Sequence, residues 1–471
     1  MTRTRRRTLA AAGLVAVTAL AACSGGGDDG GGDGGDGTDE AGGSITLWIQ
    51  EDLPDRVAAT QAIVDEFTAA SGVEVELIPV AEDQFDQLLT SSAAAGDLPD
   101  VIGGISLPQV RTLSANELVD TDAVGAVLEE LGADTFAESA IELTSDGDTQ
   151  LAIPSESWLQ LLVYRTDLFE AAGLDAPTSY EAVLAAAEAL HSPEVAGFVG
   201  ATAPGDAFTE QTFEHVALGN GCQLVDEEGE IQLDSAECVE ALDFYGNLIQ
   251  NYSVPGAQDV DTVRATYFAG QAAMFIWSSF ILDEMAGLRD EALPSCAECA
   301  ADPAFLAKNS AVVTALEGPG GSEPAQFGEI TSWTVTAGAD SEPAQQLIQY
   351  MLSDGYLPWI EIAPEGKVPV RLGTSDNPTE YSDAWGDMEV GVDRKAPLSE
   401  FYGPEVLEEL GTGPERIARW ALPQGQGDLL GALQGEQPVA TAVNDVTQGT
   451  PAEDAATEAA EAAREIQESV S

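Results

Sequence analysis

A carboxylate and an aromatic ring lie two residues apart in "IPSESW", where Glu156 and Trp158 follow Pro154. A tryptophan in an apolar run is commonly buried, whereas a glutamate is rarely buried unless it is paired. Ionised carboxylates make strong hydrogen bonds and aromatic rings offer flat apolar surface, so the two side chains together suit a polar ligand. The segment therefore predicts either a core element or a ligand contact, and the elements around it must decide.

The motifs of common catalytic and metal sites are missing from the sequence. It contains no G-x-S-x-G, no H-E-x-x-H and no G-x-x-x-x-G-K-[ST], and its two histidines are His191 and His215. A carboxylate pair of the kind that glycosidases use is no evidence here, because 82 acidic residues supply many such pairs. The sequence therefore predicts no metal, no cofactor and no catalytic residue.

The charge of the chain restricts its partners. With 82 acidic and 17 basic residues, the formal net charge is -65. Such a surface lacks the basic footprint that a phosphate backbone requires, which excludes nucleic acid. It also disfavours anionic ligands unless local cations overcome the field, and it suits a cationic one. An acidic, lysine-poor surface is typical of proteins that stay soluble at high salt.

The amino terminus predicts an export signal followed by a tether. Basic "MTRTRRR" precedes apolar "TLAAAGLVAVTALAA", and "LAAC" resembles the lipobox at which bacterial lipoproteins are cleaved and acylated on cysteine. Residues 1–22 are thus expected to be a signal peptide, and residues 23–43 a Gly/Asp-rich tether with lipid at Cys23. The general secretory and twin-arginine routes both stay open. We expect an exported monomer, anchored by lipid to the outer face of the cell membrane.

Four further cysteines predict disulfides. An even number of cysteines in an exported chain is typical of a disulfide framework. Three pairings are possible, of which the two local ones are preferred: Cys222 with Cys238, and Cys296 with Cys299. The single C-x-x-C gives a zinc or redox site only weak support, because no second C-x-x-C is present.

Apolar periodicity predicts alternating strands and helices, and hence an α/β fold. The predicted strands include residues 44–50, 73–80, 101–105 and 161–165, and the predicted helices include residues 55–71, which end at Gly72, and 83–95. Thr178 and Glu181 have the spacing of a capping box, and residues 222–235 alternate as in a hairpin around Glu228 and Gly229. A surface helix is expected from about Thr450.

The order of these landmarks resembles that of family 1 extracellular solute-binding proteins of ABC importers, particularly the sugar-binding branch. The lipobox is followed by "ITLWIQ", "LLTSSAAAGDLPDVI", "LAIPSESWLQLLVYRTDLF", "YFAGQAAMFIWSS" and "GKVPVR". The resemblance implies the periplasmic-binding-protein-like II fold, in which hinge crossovers join two α/β lobes with a ligand cleft between them. Lobe 1 would then comprise residues 44–152 and 311–370, and lobe 2 residues 153–310 and 371–471, which include the C-terminal helix.

The resemblance also implies a set of ligand contacts. A sugar needs aromatic surface for the apolar side of its ring and charged groups for its hydroxyls. Many relatives have an aromatic residue directly after the proline, where this chain has Ser155, so Trp158 is expected to act from a shifted position. The expected contacts are Glu51 with Asp52 as its substitute, Asp100, Glu156, Trp158, Trp277, Trp333 and Arg371.

Some of these contacts have a purely structural alternative. Asp100 is equally suited to capping a turn before a strand. Trp277 and Trp333 lie in apolar strands, where a tryptophan is commonly core. Arg371 has many acidic residues available for a surface ion pair.

The expected function is capture of a carbohydrate by lobe closure, followed by delivery to the permease subunits of an ABC importer. This function needs no catalysis. The same fold binding a peptide, a polyamine or a metal complex is an alternative, and a secreted glycosidase is a weaker one.

Overall fold

The computed structural model describes residues 43–470, so the predicted signal peptide and Cys23 lie outside the described residues. The strands in this range are β1 Ser44–Gln50, β2 Glu74–Val80, β3 Val101–Ile105, β4 Ser145–Asp146, β5 Thr149–Gln150, β6 Ile153–Arg165, β7 Met274–Ser278, β8 Ser310–Val313, β9 Gln326–Val335, β10 Val368–Pro369, β11 Glu389–Val390, β12 Ala396–Pro397 and β13 Ile417–Ala418.

Helices alternate with these strands. They are α1 Pro54–Ser71, α2 Glu82–Ala95, α3 Leu107–Ala115, α4 Thr121–Leu131, α5 Glu138–Leu143, α6 Thr166–Ala172, α7 Tyr180–Leu190, α8 Ala207–Gly219, α9 Ala236–Tyr252, α10 Val260–Phe268, α11 Ile281–Met285, α12 Phe305–Lys308, α13 Ser341–Met351, α14 Tyr356–Ile360, α15 Glu380–Gly386, α16 Pro404–Thr412, α17 Gly427–Glu436, α18 Pro438–Thr447 and α19 Ala452–Val470. Short 3-10 helices cover Ala133–Thr135, Asp290–Ala292, Leu398–Glu400 and Gly413–Arg416. No helix in the described range is both long and apolar enough to cross a membrane.

Two strands connect two groups of strands. In the first group, β1 pairs in parallel with β2 and β3, and β3 pairs antiparallel with β9. In the second group, β7 and β8 both pair antiparallel with the C-terminal half of β6. The N-terminal half of β6 pairs antiparallel with β9 instead. We call this paired segment, Ile153–Leu159 of β6 with Gly328–Trp333 of β9, the hinge ribbon. The predicted α/β class with crossovers between two groups of strands is confirmed.

Local sequence signals fix most of the first group. Strands β1 and β3 have the predicted bounds, and α1 buries Ile63, Val64 and Phe67. Gly72 ends α1 in the left-handed conformation at φ 79°, which a residue with a Cβ adopts only at a cost. Helix α19 confirms the predicted C-terminal helix.

One local prediction around the second group is wrong and another holds in shortened form. The hydroxyl of Ser179, and not that of Thr178, caps α7 by accepting a hydrogen bond from the backbone N–H of Ala182 at 3.3 Å. The expected hairpin is limited to one antiparallel bridge, between Val225 and Ile231. Two backbone hydrogen bonds flank the bridge, from the N–H of Gln232 to the carbonyl of Leu224 at 2.8 Å and from the N–H of Asp226 to the carbonyl of Glu230 at 3.0 Å.

Both preferred disulfides are present. Cys222 is bonded to Cys238, and Cys296 to Cys299. The first bond joins the segment after α8 to the first turn of α9, so it fixes the otherwise irregular region between those helices.

The lobe limits at residues 153, 311 and 371 stay predictions. Strand β8, which starts at Ser310, pairs with the second group of strands, whereas β9 runs through the hinge ribbon. The pairing thus places the return crossing in β9, later than the expected limit at residue 311.

Candidate functional site

The hinge ribbon is accessible from one face. Ladder partners lie on the same face of a ribbon, and Trp158 pairs with Glu329 while Glu156 pairs with Thr331. Within the ribbon, Trp158 and Thr331 are half-buried and their neighbours along both strands are buried. We call this opening the crevice. It exposes one aromatic ring and one hydroxyl-bearing residue beside two buried carboxylates.

A buried ion-pair network borders the crevice at Glu329. One carboxylate oxygen of Glu329 accepts a hydrogen bond from the N–H of Leu107 at 2.9 Å, and the other accepts one from Arg419 Nη1 at 2.7 Å. Arg419 Nε also donates to Glu214 Oε1 at 3.2 Å. The guanidinium lies over the ring of Phe327, 4.6 Å from its centre. The network therefore joins α3 beside the first group of strands to α8 beside the second.

Burial changes the protonation of this network. It raises the pKa of Glu214, and the charge of Arg419 opposes that rise. One helical turn earlier, burial raises the pKa of Glu210 to about 7, with the charge of Glu214 contributing. A single guanidinium thus compensates the carboxylates incompletely.

A second charged cluster also connects the two groups of strands. Arg56 of α1 forms an ion pair with Glu51 at 3.3 Å and lies 3.9 Å from Glu365. Its guanidinium lies 5.6 Å from the ring centre of Phe280, which lies two residues after the end of β7 in the second group. The same ring packs against Gly366, where an added Cβ would lie 2.0 Å from it. This contact requires glycine at position 366.

Two carboxyl groups in this cluster are buried next to each other. Burial raises the pKa of Glu365 to about 8, and the nearby charge of Asp283 adds to the rise. The pKa of Asp283 is likewise raised by burial, although Arg289 opposes the change. Neither oxygen of Asp283 has a hydrogen-bond partner in the described part of the chain. The cluster therefore holds acceptor atoms that no donor of the described residues reaches.

Glu156 is a paired carboxylate and not a free ligand contact. Its two oxygens accept hydrogen bonds from Trp359 Nε1 and Lys367 Nζ, both at 2.8 Å. Lys367 in turn lies 3.7 Å from the ring centre of Trp359. Glu156 therefore fixes the segment that carries Glu365 against the hinge ribbon, beside the expected contacts Glu51 and Trp158. Asp52 is exposed next to Glu51.

Asp100 lies away from the crevice. Strands β1 and β3 are parallel, so Asp100 before β3 and Glu51 after β1 are at opposite edges of the sheet. Its carboxylate accepts hydrogen bonds from the N–H of Thr46 at 2.7 Å, the Thr46 hydroxyl at 2.9 Å and the N–H of Asp340 at 3.0 Å. The capping alternative is the one that this geometry supports.

Arg371 is neither a crevice residue nor a surface ion pair. It is 5 % exposed and donates hydrogen bonds to the carbonyls of Leu131 and Leu352 at the ends of two helices. The rings of Phe136 and Tyr381 lie on it at 5.6 and 5.4 Å. The arginine therefore satisfies helix C-terminal carbonyls inside the fold.

The two strand tryptophans are core residues. Trp277 donates its indole N–H to the carbonyl of Val260 at 3.1 Å and packs against Phe208. Trp333 is fully buried with its ring over Gly103, although its indole N–H has no partner among residues 43–470. Apolar strand context, which predicts burial, outweighs the resemblance at both positions.

Sequence reasoning missed four charged or aromatic residues that belong to the two charged clusters. They are Arg56, Phe280, Glu365 and Arg419. Phe280 had a readable signal, because it follows the end of a strand in "WSSF", where a side chain leaves the sheet. Arg419 had none, since its partners Glu214 and Glu329 lie far away in sequence, and the same holds for the contact of Arg56 with Glu365.

These features define a class of protein: two groups of strands, joined by a ribbon that carries an accessible crevice, form a periplasmic-binding-type fold. The sequence matches the family model of bacterial extracellular solute-binding proteins over residues 50–357, which is well over half of the chain. The chain belongs to that family.

Known relatives agree with this assignment. The chain is 27% identical over 345 residues to YcjN of Escherichia coli strain K12, named as an ABC transporter periplasmic-binding protein, with 71% of this chain and 74% of YcjN covered. The GacH receptor of Streptomyces glaucescens, solved unliganded and with acarbose, is 18% identical with a TM-score of 0.68 over 91% of this chain and 99% of its own. A sugar transporter protein of Arthrobacter chlorophenolicus with bound laminaribiose is 18% identical with a TM-score of 0.67 over 90% and 99%.

Proposed function

We propose that the protein binds a carbohydrate in the crevice, closes its two lobes around it and delivers it to the membrane subunits of an ABC importer. The observation that carries this proposal is the face of the hinge ribbon at Trp158. Trp158 offers a flat aromatic surface there, and its ladder partner Glu329 belongs to one charged cluster. Glu156 on the same strand pairs with Lys367, two residues after Glu365 of the other cluster. Ligand held at such a place would favour the closed arrangement of the lobes.

The chemistry of the second charged cluster and of the crevice suits hydroxyl groups. A hydroxyl donates one hydrogen bond and accepts others, so it can serve both kinds of unpartnered atom. Asp283 offers acceptors, whereas the buried Nε of Arg56 is a donor without a hydrogen-bond partner in the described range. The Thr331 hydroxyl, also unpartnered there, can act as either. A ring of hydroxyls on a pyranose matches this mixture better than an extended peptide does.

The related structures favour the same ligand class. Their bound ligands, acarbose and laminaribiose, are carbohydrates. The name of the Escherichia coli relative favours delivery to an ABC transporter. Anchoring by lipid on Cys23 and a monomeric state complete the proposal, with the Gly/Asp-rich segment that follows as the tether. Binding and release, without a chemical step, make up the whole function.

Intrinsic fluorescence tests the proposal. The purified protein is titrated with a panel of neutral mono-, di- and trisaccharides, and each mixture is analysed for released products. We expect at least one saturable change in tryptophan emission and intact ligand after prolonged incubation. No response to any carbohydrate would contradict the ligand class, and release of a smaller sugar would indicate a glycosidase.

A further inference from the structure

A small polar cavity, which we call the α8 pocket, lies beside the network of Arg419. Its lining includes Pro108 at the start of α3, Glu210 and Glu214 on successive turns of α8, Glu329 of the hinge ribbon, and Gln437 at the junction of α17 and α18. Its volume of about 20 Å³ is room for about one water-sized group. A sugar ring does not fit, but one substituent of a ring in the crevice does.

The charges that line the pocket do not balance. Three carboxylates, of Glu210, Glu214 and Glu329, face one guanidinium, of Arg419, which leaves a formal charge of 1 − 3 = −2. Arg419 already donates hydrogen bonds to Glu214 and Glu329. Asp206, the N-cap residue of α8 and four residues before Glu210, adds further negative charge. The pocket therefore attracts a cation.

The two fully buried side-chain atoms of the pocket that lack a hydrogen-bond partner among residues 43–470 are both acceptors. Glu210 is 8% exposed, and its Oε2 has no hydrogen-bond partner among residues 43–470. The Oε1 of Gln437 is also without a partner there. A hydroxyl would supply one donor and bring lone pairs of its own, whereas an ammonium group supplies three donors and no acceptor.

Size, charge and hydrogen-bond demand agree on one chemical group. We infer that the α8 pocket binds an ammonium substituent, so that the ligand of this protein is an amino sugar or an oligosaccharide that contains one. The inference rests on the proposed function, because the ring that carries the ammonium group would occupy the crevice. The pKa of Glu210 agrees with this inference. Burial raises it to about 7, and a cation bound beside the carboxylate would lower it again.

Matched pairs of sugars test the inference. The full-length protein is titrated calorimetrically at pH 7 with glucosamine and glucose, galactosamine and galactose, and the glucosamine β-1,4 disaccharide and cellobiose, with spermidine as a sugar-free amine. We expect the amino member of at least one pair to bind about tenfold more tightly or better, as a hydrogen bond between charged groups provides.

Two variants assign the preference to the pocket. Glu210→Gln keeps the shape of the side chain and removes its charge, and we expect it to reduce the preference for the amino member to about twofold or less. Glu188→Gln makes the same charge change at an exposed position of α7 and should leave the preference intact. Glu210→Gln should fold at least as stably as the native protein, because it removes a buried carboxylate without a partner.

Each outcome decides the inference. Equal affinity for the amino and neutral members, or a preference that survives Glu210→Gln, would overturn the ammonium site and leave carbohydrate binding intact. Binding of spermidine with no response to any sugar would overturn the inference together with the proposed function. No binding of any of these probes, when other neutral sugars bind, would overturn the inference alone.

Discussion

The buried network around Arg419 makes the sharpest prediction about stability. Arg419 is 4% exposed and forms ion pairs with Glu214 and Glu329, both of which are also buried. Replacing Arg419 by methionine keeps much of the apolar contact with Phe327 and removes the only guanidinium of the network. Two carboxylates would then remain buried without their cation.

Breaking a buried ion pair from one side costs about 3 to 5 kcal/mol, because the remaining charge stays desolvated. We expect the Arg419→Met protein to lose about this much free energy of unfolding at pH 7.5. The loss should shrink at lower pH. Arg419 opposes the rise in the pKa of Glu214, so without it that pKa lies further above its ordinary value of 4.5. As the pH falls, the folded variant therefore takes up a proton before the unfolded chain does. This uptake restores about 1.4 kcal/mol of stability for each unit by which the folded and unfolded pKa values differ.

Urea unfolding at pH 7.5 and pH 5 measures both effects. A matched control, Arg419→Met with Glu214→Gln and Glu329→Gln, removes the buried charges together and should recover most of the lost stability. A loss below about 1 kcal/mol at pH 7.5, or an equal loss at both pH values, would refute the reasoning.

Three further predictions concern other parts of the molecule. Asp100→Ala should lower the free energy of unfolding by about 2 kcal/mol and leave ligand affinity unchanged, since the carboxylate accepts its hydrogen bonds from Thr46 and the N–H of Asp340. Weaker ligand binding by calorimetry would contradict this. The raised pKa of Glu365, about 8 against 4.5, means that the folded protein keeps a proton which the unfolded chain loses, so stability should fall as the pH rises between these values. Glu365→Gln should flatten that slope in urea unfolding series from pH 5 to pH 9, and an unchanged slope would count against it. Replacing Cys222 and Cys238 by serine should cost about 3 kcal/mol, because their bond closes a loop across a sequence separation of 16; a change below about 1 kcal/mol would be inconsistent with this.

The fold was largely predictable because its signals are local. Alternation in β1 and β3 and the glycine that ends α1 depend on near neighbours in sequence, so these elements have the expected bounds. The same holds for the disulfides, whose preferred pairing followed from short separations. The hairpin near Val225 also has a local pattern and forms around the expected turn, although it is only one bridge long.

The site was less predictable because its contacts are distant in sequence. Glu156 was singled out correctly as unusual, yet its partners Trp359 and Lys367 lie more than 200 residues away. Arg371 has the pattern of a crevice residue, and only the helix ends that surround it reveal a structural role. Residue type and order along the chain cannot show which face of a ribbon a distant side chain reaches.

The direct test of the account is the affinity of Trp158→Ala for the carbohydrate that gives the largest fluorescence response with the native protein. Trp158 is half-buried on the accessible face of the hinge ribbon, so its removal should spare the fold. We predict affinity at least about tenfold weaker by isothermal titration, which corresponds to about 1.4 kcal/mol, with little change in the unfolding temperature. Unchanged affinity in a folded Trp158→Ala protein would contradict the assignment of the crevice as the ligand site.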